Sequence, residues 1–257
     1  MNVGRDFILR LQLATWLEVD DYLKTSMGII MPIGSTEQHG PTGLVGTDAL
    51  TAEAIAQRLG NRIKAYVAPT INVGMAQHHL GFSGSMALKP TTLIAVIKDM
   101  VDSLAVNGFK RFFFVNGHGG NIATVTAAFS EIYADTSFGI SSKQNDVKCV
   151  LHNWYMMPGV SKLASELYGE SDGSHATASE VAVTYALFPE TAARVKRATL
   201  DPEIAPKGRI FDARDYRHNF PDGRIGSNPA LAKGDHGERL IELAVEDLAS
   251  LYIDFNV

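Results

Sequence analysis

Two kinds of apolar pattern take turns along the chain. Short unbroken runs cover residues 28–33, 65–69, 111–115 and 147–151. Runs without polar alternation suit strands of a parallel sheet that is buried on both faces. Between them apolar residues recur near every 3.6 positions, the period of a helix with one buried face. This spacing predicts a short amphipathic helix over 13–23. A second opens at Asp48, carries Leu50, Ala54, Ile55 and Leu59, and ends at Gly60. A third starts at Pro90, buries Leu93, Val96, Ile97, Met100, Val101 and Leu104, and closes near Asn107 and Gly108. Further helices are expected over 121–134, 160–168, from about Thr177 to Leu187, and over 236–252, where Leu240, Leu243, Ala244, Leu248 and Leu251 share a face. Strands alternating with helices predict one α/β domain over 1–257.

Two stretches break the pattern. Residues 72–88 are rich in Gly, Ser, His and Met and read as a functional loop; of the adjacent His78 and His79, at most one should face a site, and His79 is the expected substrate contact. Residues 199–237 are interrupted by Pro202, Pro206, Gly208, Pro221, Gly223, Gly226, Pro229 and Gly234, which predicts a loop-rich lid, arm or subunit contact. No internal repeat or low-complexity segment is present.

Composition narrows the partners. A chain of 257 residues, 46% apolar and 20% charged, has enough apolar surface for a substantial core. A net charge of −5 without clusters of Lys and Arg argues against nucleic acid. No run reaches the roughly 20 apolar residues of a membrane span, and the first residues lack a signal-peptide core, so no membrane is expected and the cytoplasm is the expected compartment. The lone Cys149 precludes an internal disulfide and lies in an apolar run, as a buried structural thiol would.

Candidate chemistry gathers at the strand exits. After the 28–33 run, Glu37, His39 and Asp48 fall within a glycine-rich loop, and after the 111–115 run comes Asn116-Gly117-His118-Gly119-Gly120-Asn121. In open α/β sheets the crevice beyond the strands' carboxyl ends is where ligands bind. Either loop alone would pass for a solvated surface segment, and Asp48 for a helix cap. Together they present imidazoles and carboxylates without thiolate, a donor set for Zn, Mn or Fe(II). Gly119 and Gly120 leave backbone amides free at a helix start, where an oxyanion or carboxylate of a substrate can be held. At the exit of the 147–151 strand, Trp154 is the expected aromatic wall of the pocket. Farther on, Thr177 and Glu180 match a capping box, which competes with a ligand role for Glu180; His175 precedes them as a proton-handling candidate. Asp172, beside Gly173, fits a turn.

Three ordered motifs, GSTEQHG with a following GTD, NGHGGN, and SHATASE, resemble the creatininase (creatinine amidohydrolase) family over most of the chain. The resemblance implies a three-layer α/β/α sandwich with a mostly parallel sheet, a homo-oligomer, usually a hexamer, and hydrolysis of a non-peptide C–N bond of a small molecule at two divalent ions per chain. Carried over by position, Glu37, Asp48 and His118 would hold one ion and His39, Asp48 and Glu180 the other, with Asp48 as the bridge. His175 would be catalytic, donating a proton to the departing nitrogen, and Trp154 would line the substrate pocket. One departure stands out: the family's creatininases read His-Tyr-Glu-Asn where this chain has His118-Gly119-Gly120-Asn121, which argues against creatinine itself as substrate. A sugar-ring hydrolase or isomerase and a silent metal-binding protein are the competing expectations.

Overall fold

The computed structural model describes residues 9–140, 146–195 and 200–256. The expectation about the first residues, and the first position of the 199–237 segment, lie outside them. Four parallel strands run through the middle: β1 (Gly28–Ile33), β2 (Tyr66–Val67), β3 (Arg111–Asn116) and β4 (Lys148–Asn153), in the spatial order β2-β1-β3-β4. β1 pairs with β3 along its whole length, from Gly28 opposite Arg111 to Ile33 opposite Asn116. Successive strand residues point to opposite faces. Ile30, Phe113 and Val115 therefore meet one helical layer, formed by α2 (Thr47–Ile63), α5 (Pro158–Tyr168), α6 (Ala178–Leu187) and α9 (Gly234–Phe255). Ile29, Met31, Ile33, Phe112 and Phe114 meet the other, formed by α1 (Trp16–Leu23), α3 (Pro90–Val106) and α4 (Asn121–Ser137). The result is the expected α/β/α sandwich, with a core on each side of the sheet.

The connections decide where a site can form. After β1 the chain enters α2, in one layer, and after β3 it enters α4, in the other. The loops leaving β1 and β3 thus diverge to opposite sides and leave a crevice at the carboxyl ends of these central neighbours.

Several boundaries differ from the pattern-based expectation. Gly60 does not end α2, which continues to Ile63 and stops at Lys64 in the left-handed conformation (φ 60°). Gly60 is glycine for space, because a Cβ there would stand 2.6 Å from Val67. β2 is shorter than 65–69; only Tyr66 and Val67 hold ladder positions. The 200–233 segment is mostly loop. It contains α8 (Ala213–Asn219), which follows the short α7 (Pro189–Arg194) of the preceding stretch, and it builds a third apolar cluster from Tyr216, Phe220 and Ile225 against Phe82 and Ile210. Its buried Arg224 donates to the carbonyls of Pro202 (2.9 Å), Glu203 (3.0 Å) and Ser227 (3.0 Å) and to Asp222 (2.7 Å), which draws the segment together. Among the described residues no helix is long and apolar enough to cross a membrane.

Candidate metal centre

The centre is assembled by three chain segments that meet above β1 and β3. Asp48 lies in the first turn of α2, whose N-cap is Gly46, so its carboxylate is not used for capping. The start of α2 is wedged between the two strand exits. A Cβ at Gly34 would stand 2.4 Å from Ala49 N, and one at Gly117 would stand 2.2 Å from Asp48 O, so the absence of a side chain at both positions is what admits the helix. Asn121 ties the exits together, its Nδ2 donating to Gly34 O (2.9 Å) and to Asn116 Oδ1 (3.2 Å). Asn116 in turn accepts from the His118 amide (3.1 Å) and fixes that loop. The third segment turns at Ala176, a non-glycine residue at φ +53°. A left-handed alanine costs about 1 kcal/mol or more, and here it sets His175 and Glu180 on the same cavity.

Glu180 forms the expected capping box and also reaches the cluster. Thr177 N donates to its Oε1 (2.6 Å) and Thr177 Oγ1 accepts from Glu180 N (3.1 Å), a complete capping box. The same Oε1 lies 3.8 Å from His39 Nε2. Asp172 does more than occupy a turn: its two oxygens accept from Ser179 N (2.8 Å) and Ser179 Oγ (2.9 Å), which anchors the start of α6.

Asp48 is the geometric centre. Its Oδ1 is 3.0 Å from His39 Nε2 and its Oδ2 3.0 Å from His118 Nδ1. Each imidazole is pinned through its other nitrogen to a backbone carbonyl, His39 Nδ1 to Glu37 O (3.1 Å) and His118 Nε2 to Met75 O (3.0 Å). Those carbonyls hold one N–H of each ring, so a cation that displaced the proton from the nitrogen facing Asp48 would meet an oriented lone pair. Glu37, fully buried, brings Oε2 to 3.3 Å from His118 Nε2 and accepts from Ser35 Oγ (2.9 Å). One donor atom from each of Glu37, Asp48 and His118 lies within 4.8 Å of the others; the same holds for His39, Asp48 and Glu180, and for Glu37, His39 and His175.

These residues fit a cation. Glu37 Oε1 and Asp48 Oδ2 are buried and take part in no hydrogen bond of acceptable geometry, although imidazole nitrogens approach both to 3.0 Å. Buried oxygens left without a hydrogen bond beside imidazole nitrogens are atoms that a common cation would satisfy. Electrostatics agrees. Burial pushes the Glu37 carboxyl up to about 8 and that of Glu180 up to about 7, each against the pull of neighbouring histidines. Burial would lower His39 and His118, but the surrounding carboxylates, Asp48 and Glu180 for the first and Glu37 and Asp48 for the second, raise them to about 10 and about 9. Asp48, despite its burial, is held well below the usual carboxylate range by His39 and His118. A cluster that collects protons this readily is one that needs positive charge.

Around it, His79 Nε2 lies 3.0 Å from Glu37 Oε1, while His78 lines the outer wall of the same cleft without touching a carboxylate. His175 is largely but not fully buried, and its Nε2 donates to Gln38 O (2.9 Å), leaving Nδ1 turned toward Glu37 Oε1 at 3.9 Å. Burial and the nearby His39 hold it far below the usual imidazole range, so it is neutral at rest. Gln38 is a residue that sequence reasoning missed. Its amide nitrogen lies 3.1 Å from His79 Nδ1, 3.1 Å from Tyr216 OH and 3.0 Å from Gly223 O. The signal was its place between Glu37 and His39, a polar side chain that must turn away from its two neighbours. Tyr216 had no such signal, coming from a helix the pattern did not show.

Gly119 and Gly120 border the cleft as expected, and Gly120 has a steric reason besides: a Cβ there would stand 2.3 Å from His118 Nε2. Trp154 is a correction. It is fully buried in the core, with its indole N–H on Thr51 Oγ1 (3.2 Å), and lines none of the cavities at the centre. At the end of β4 the chain enters a 3₁₀ turn, and it is the next residue, Tyr155, that faces the cavity of about 400 Å³ containing Asp48, His118, His175 and Glu180.

Comparison with known proteins agrees with the fold and the motifs. The creatinine amidohydrolase family matches residues 12–252. The chain is 26% identical over 246 residues to creatinine amidohydrolase of Pseudomonas putida, covering 91% of this chain and 92% of that protein. It is 25% identical over 266 residues to 3-dehydro-scyllo-inosose hydrolase of Thermotoga maritima, covering 95% and 82%. A manganese form of creatininase superposes with a TM-score of 0.81 at 23% identity, over 97% of this chain and 99% of that one. The chain therefore belongs to the creatinine amidohydrolase family.

Proposed function

We propose that the protein is a metal-dependent amidohydrolase that opens a non-peptide C–N bond, in a cyclic amide or a formamide, at two divalent ions sharing Asp48. The observation that carries this reading is the pair of triads, Glu37/Asp48/His118 and His39/Asp48/Glu180, with one carboxylate common to both. Oxygen and nitrogen donors without sulfur suit Zn, Mn or Fe(II), and the solved relative that holds manganese supports the same choice. When bound, such ions would lower the pKa of water toward ~7 and polarise a carbonyl.

The chain's own residues then have defined tasks. His39 and His118 are oriented by their backbone acceptors, Glu37 O and Met75 O, so ligand direction is set before any ion arrives. His175 is neutral and presents Nδ1 inward, which equips it to take the proton released as water attacks and to return it to the departing nitrogen. The Gly120 position, which has no room for a side chain, separates this chain from relatives with a carboxylate there and turns the reading away from creatinine. A second reading, hydrolysis or isomerisation of a sugar-derived ring, is favoured by the likeness to the inosose hydrolase.

A panel of lactams, N-formyl amines and cyclic polyol ketones, offered to protein loaded with Mn(II) or Zn(II), separates the two. The amide reading expects turnover of amides, abolished by EDTA and reduced at least ~100-fold in His175→Gln. Turnover of ketones alone would contradict it.

A further inference from the structure

Of the polar side chains that line the cavity over the centre and are neither proposed ligands nor the proposed proton carrier, Asp172, Ser174, Thr177 and Ser179 are all hydrogen-bonded and Tyr155 is not. The Tyr155 hydroxyl is shielded from solvent and has no hydrogen-bond partner among the described residues. Leaving a buried hydroxyl unpaired costs about 1–3 kcal/mol; Tyr22 donates to Gly28 O (2.7 Å), Tyr185 to Thr42 O (2.8 Å) and Tyr216 to Gly223 O (2.7 Å), while Tyr252, whose hydroxyl is also unpaired, packs in the core beside Gly28 and not at this cavity. The carboxylate that shares the cavity wall, Asp172, has both oxygens occupied by Ser179. The hydroxyl stands next to Gly119, where a Cβ would be 3.6 Å away, so the space it faces is bounded by glycine backbone and not by another side chain. The same ring also lines a neighbouring cavity of about 500 Å³, which places it where the two spaces meet. Burial and then the charges of Asp48 and Glu180 push its ionisation far above the normal range, so at any working pH the group is a donor and not a phenolate.

Resting on the amidohydrolase reading, we propose that Tyr155 is a catalytic residue whose hydroxyl donates a hydrogen bond to the substrate oxygen on which negative charge develops. As a nucleophilic oxygen adds to the amide carbon, the new C–O bond sends the carbonyl π pair onto that oxygen. Tyr155 holds it there without giving up its proton. The pair returns as the C–N bond breaks, and the nitrogen leaves with the proton it receives. Gly119 borders the same cavity, so backbone and not another side chain closes this wall.

Tyr155→Phe removes only the oxygen. Because that oxygen holds nothing in the resting protein, the variant is expected to melt at the wild-type temperature or above and to bind the same amount of Mn(II). Methylphosphonate serves as a tetrahedral oxyanion probe in calorimetry on Mn(II)-loaded protein, and the variant is expected to bind it at least ~10-fold more weakly, the loss of one charge-assisted hydrogen bond. On any amide the wild type turns over, kcat should fall ~100-fold with KM nearly unchanged. Equal methylphosphonate affinity in the two proteins, or no binding by either, overturns the proposal. So does a drop in melting temperature or metal content, which would make the hydroxyl a structural group. If no amide is turned over but the probe still discriminates, the amide reading fails and the donor role of Tyr155 stands.

Discussion

The loops at the exits of β1 and β3 and the 200–233 segment reach the same cavity by opposite means. The exits supply side chains: Glu37, His39, Asp48 and His118 come from two short motifs whose glycines admit the start of α2 between them. The 200–233 segment supplies none of the clustered donors. It contributes shape instead: Tyr216 OH and Gly223 O receive Gln38, Ile225 bridges to His175, Ser227 Oγ donates to His175 O (2.7 Å), and Arg224 holds its own segment's carbonyls. Donor identity is thus written locally, while the placement of Gln38 and His175 beside the donors depends on contacts with this later segment.

If that division is right, damage to the two regions should have different signatures. The largest effect is expected from Arg224→Met. A fully buried guanidinium with four acceptors is lost, the carbonyls of Pro202 and Glu203 lose the donor that Arg224 supplies while that of Ser227 keeps Ala205 N, and the melting transition should reflect about 3 kcal/mol of lost stability. Chemical denaturation with Mn(II) present checks this, and a change below about 1 kcal/mol would mean the segment is not a buttress. A smaller and different effect is expected from Gln38→Ala, at the contact between the regions. Metal content should stay at the wild-type level, while turnover should fall about 10- to 100-fold as His79 and Tyr216 lose a common partner. Loss of metal together with activity would put Gln38 on the ligand side of the comparison instead.

The same contrast explains what was legible in the sequence. β1 and β3 could be read because a strand buried on both faces has no alternative to an unbroken apolar run, and the exit motifs could be read because Glu37, His39 and Asp48 are neighbours in sequence. Glu180 stayed ambiguous for a physical reason: a first-turn glutamate makes the same sequence signature whether it caps or ligates, and here it makes a capping box and still reaches the cluster. Trp154 and Tyr155 were exchanged because a strand end predicts that an aromatic lies near the rim but not which residue of a following 3₁₀ turn points inward. Tyr216 and Arg224 were hidden among prolines and glycines that suggested an open loop, since the contacts that order this segment are carbonyls and rings supplied from elsewhere in the fold.

The most direct test of the shared carboxylate is elemental analysis of the protein after saturation with Mn(II) and removal of free ion, alongside Asp48→Ala. The account predicts two ions per wild-type chain and loss of both in the variant, with the fold retained by circular dichroism. One ion per wild-type chain, or a variant that keeps its metal, would contradict it.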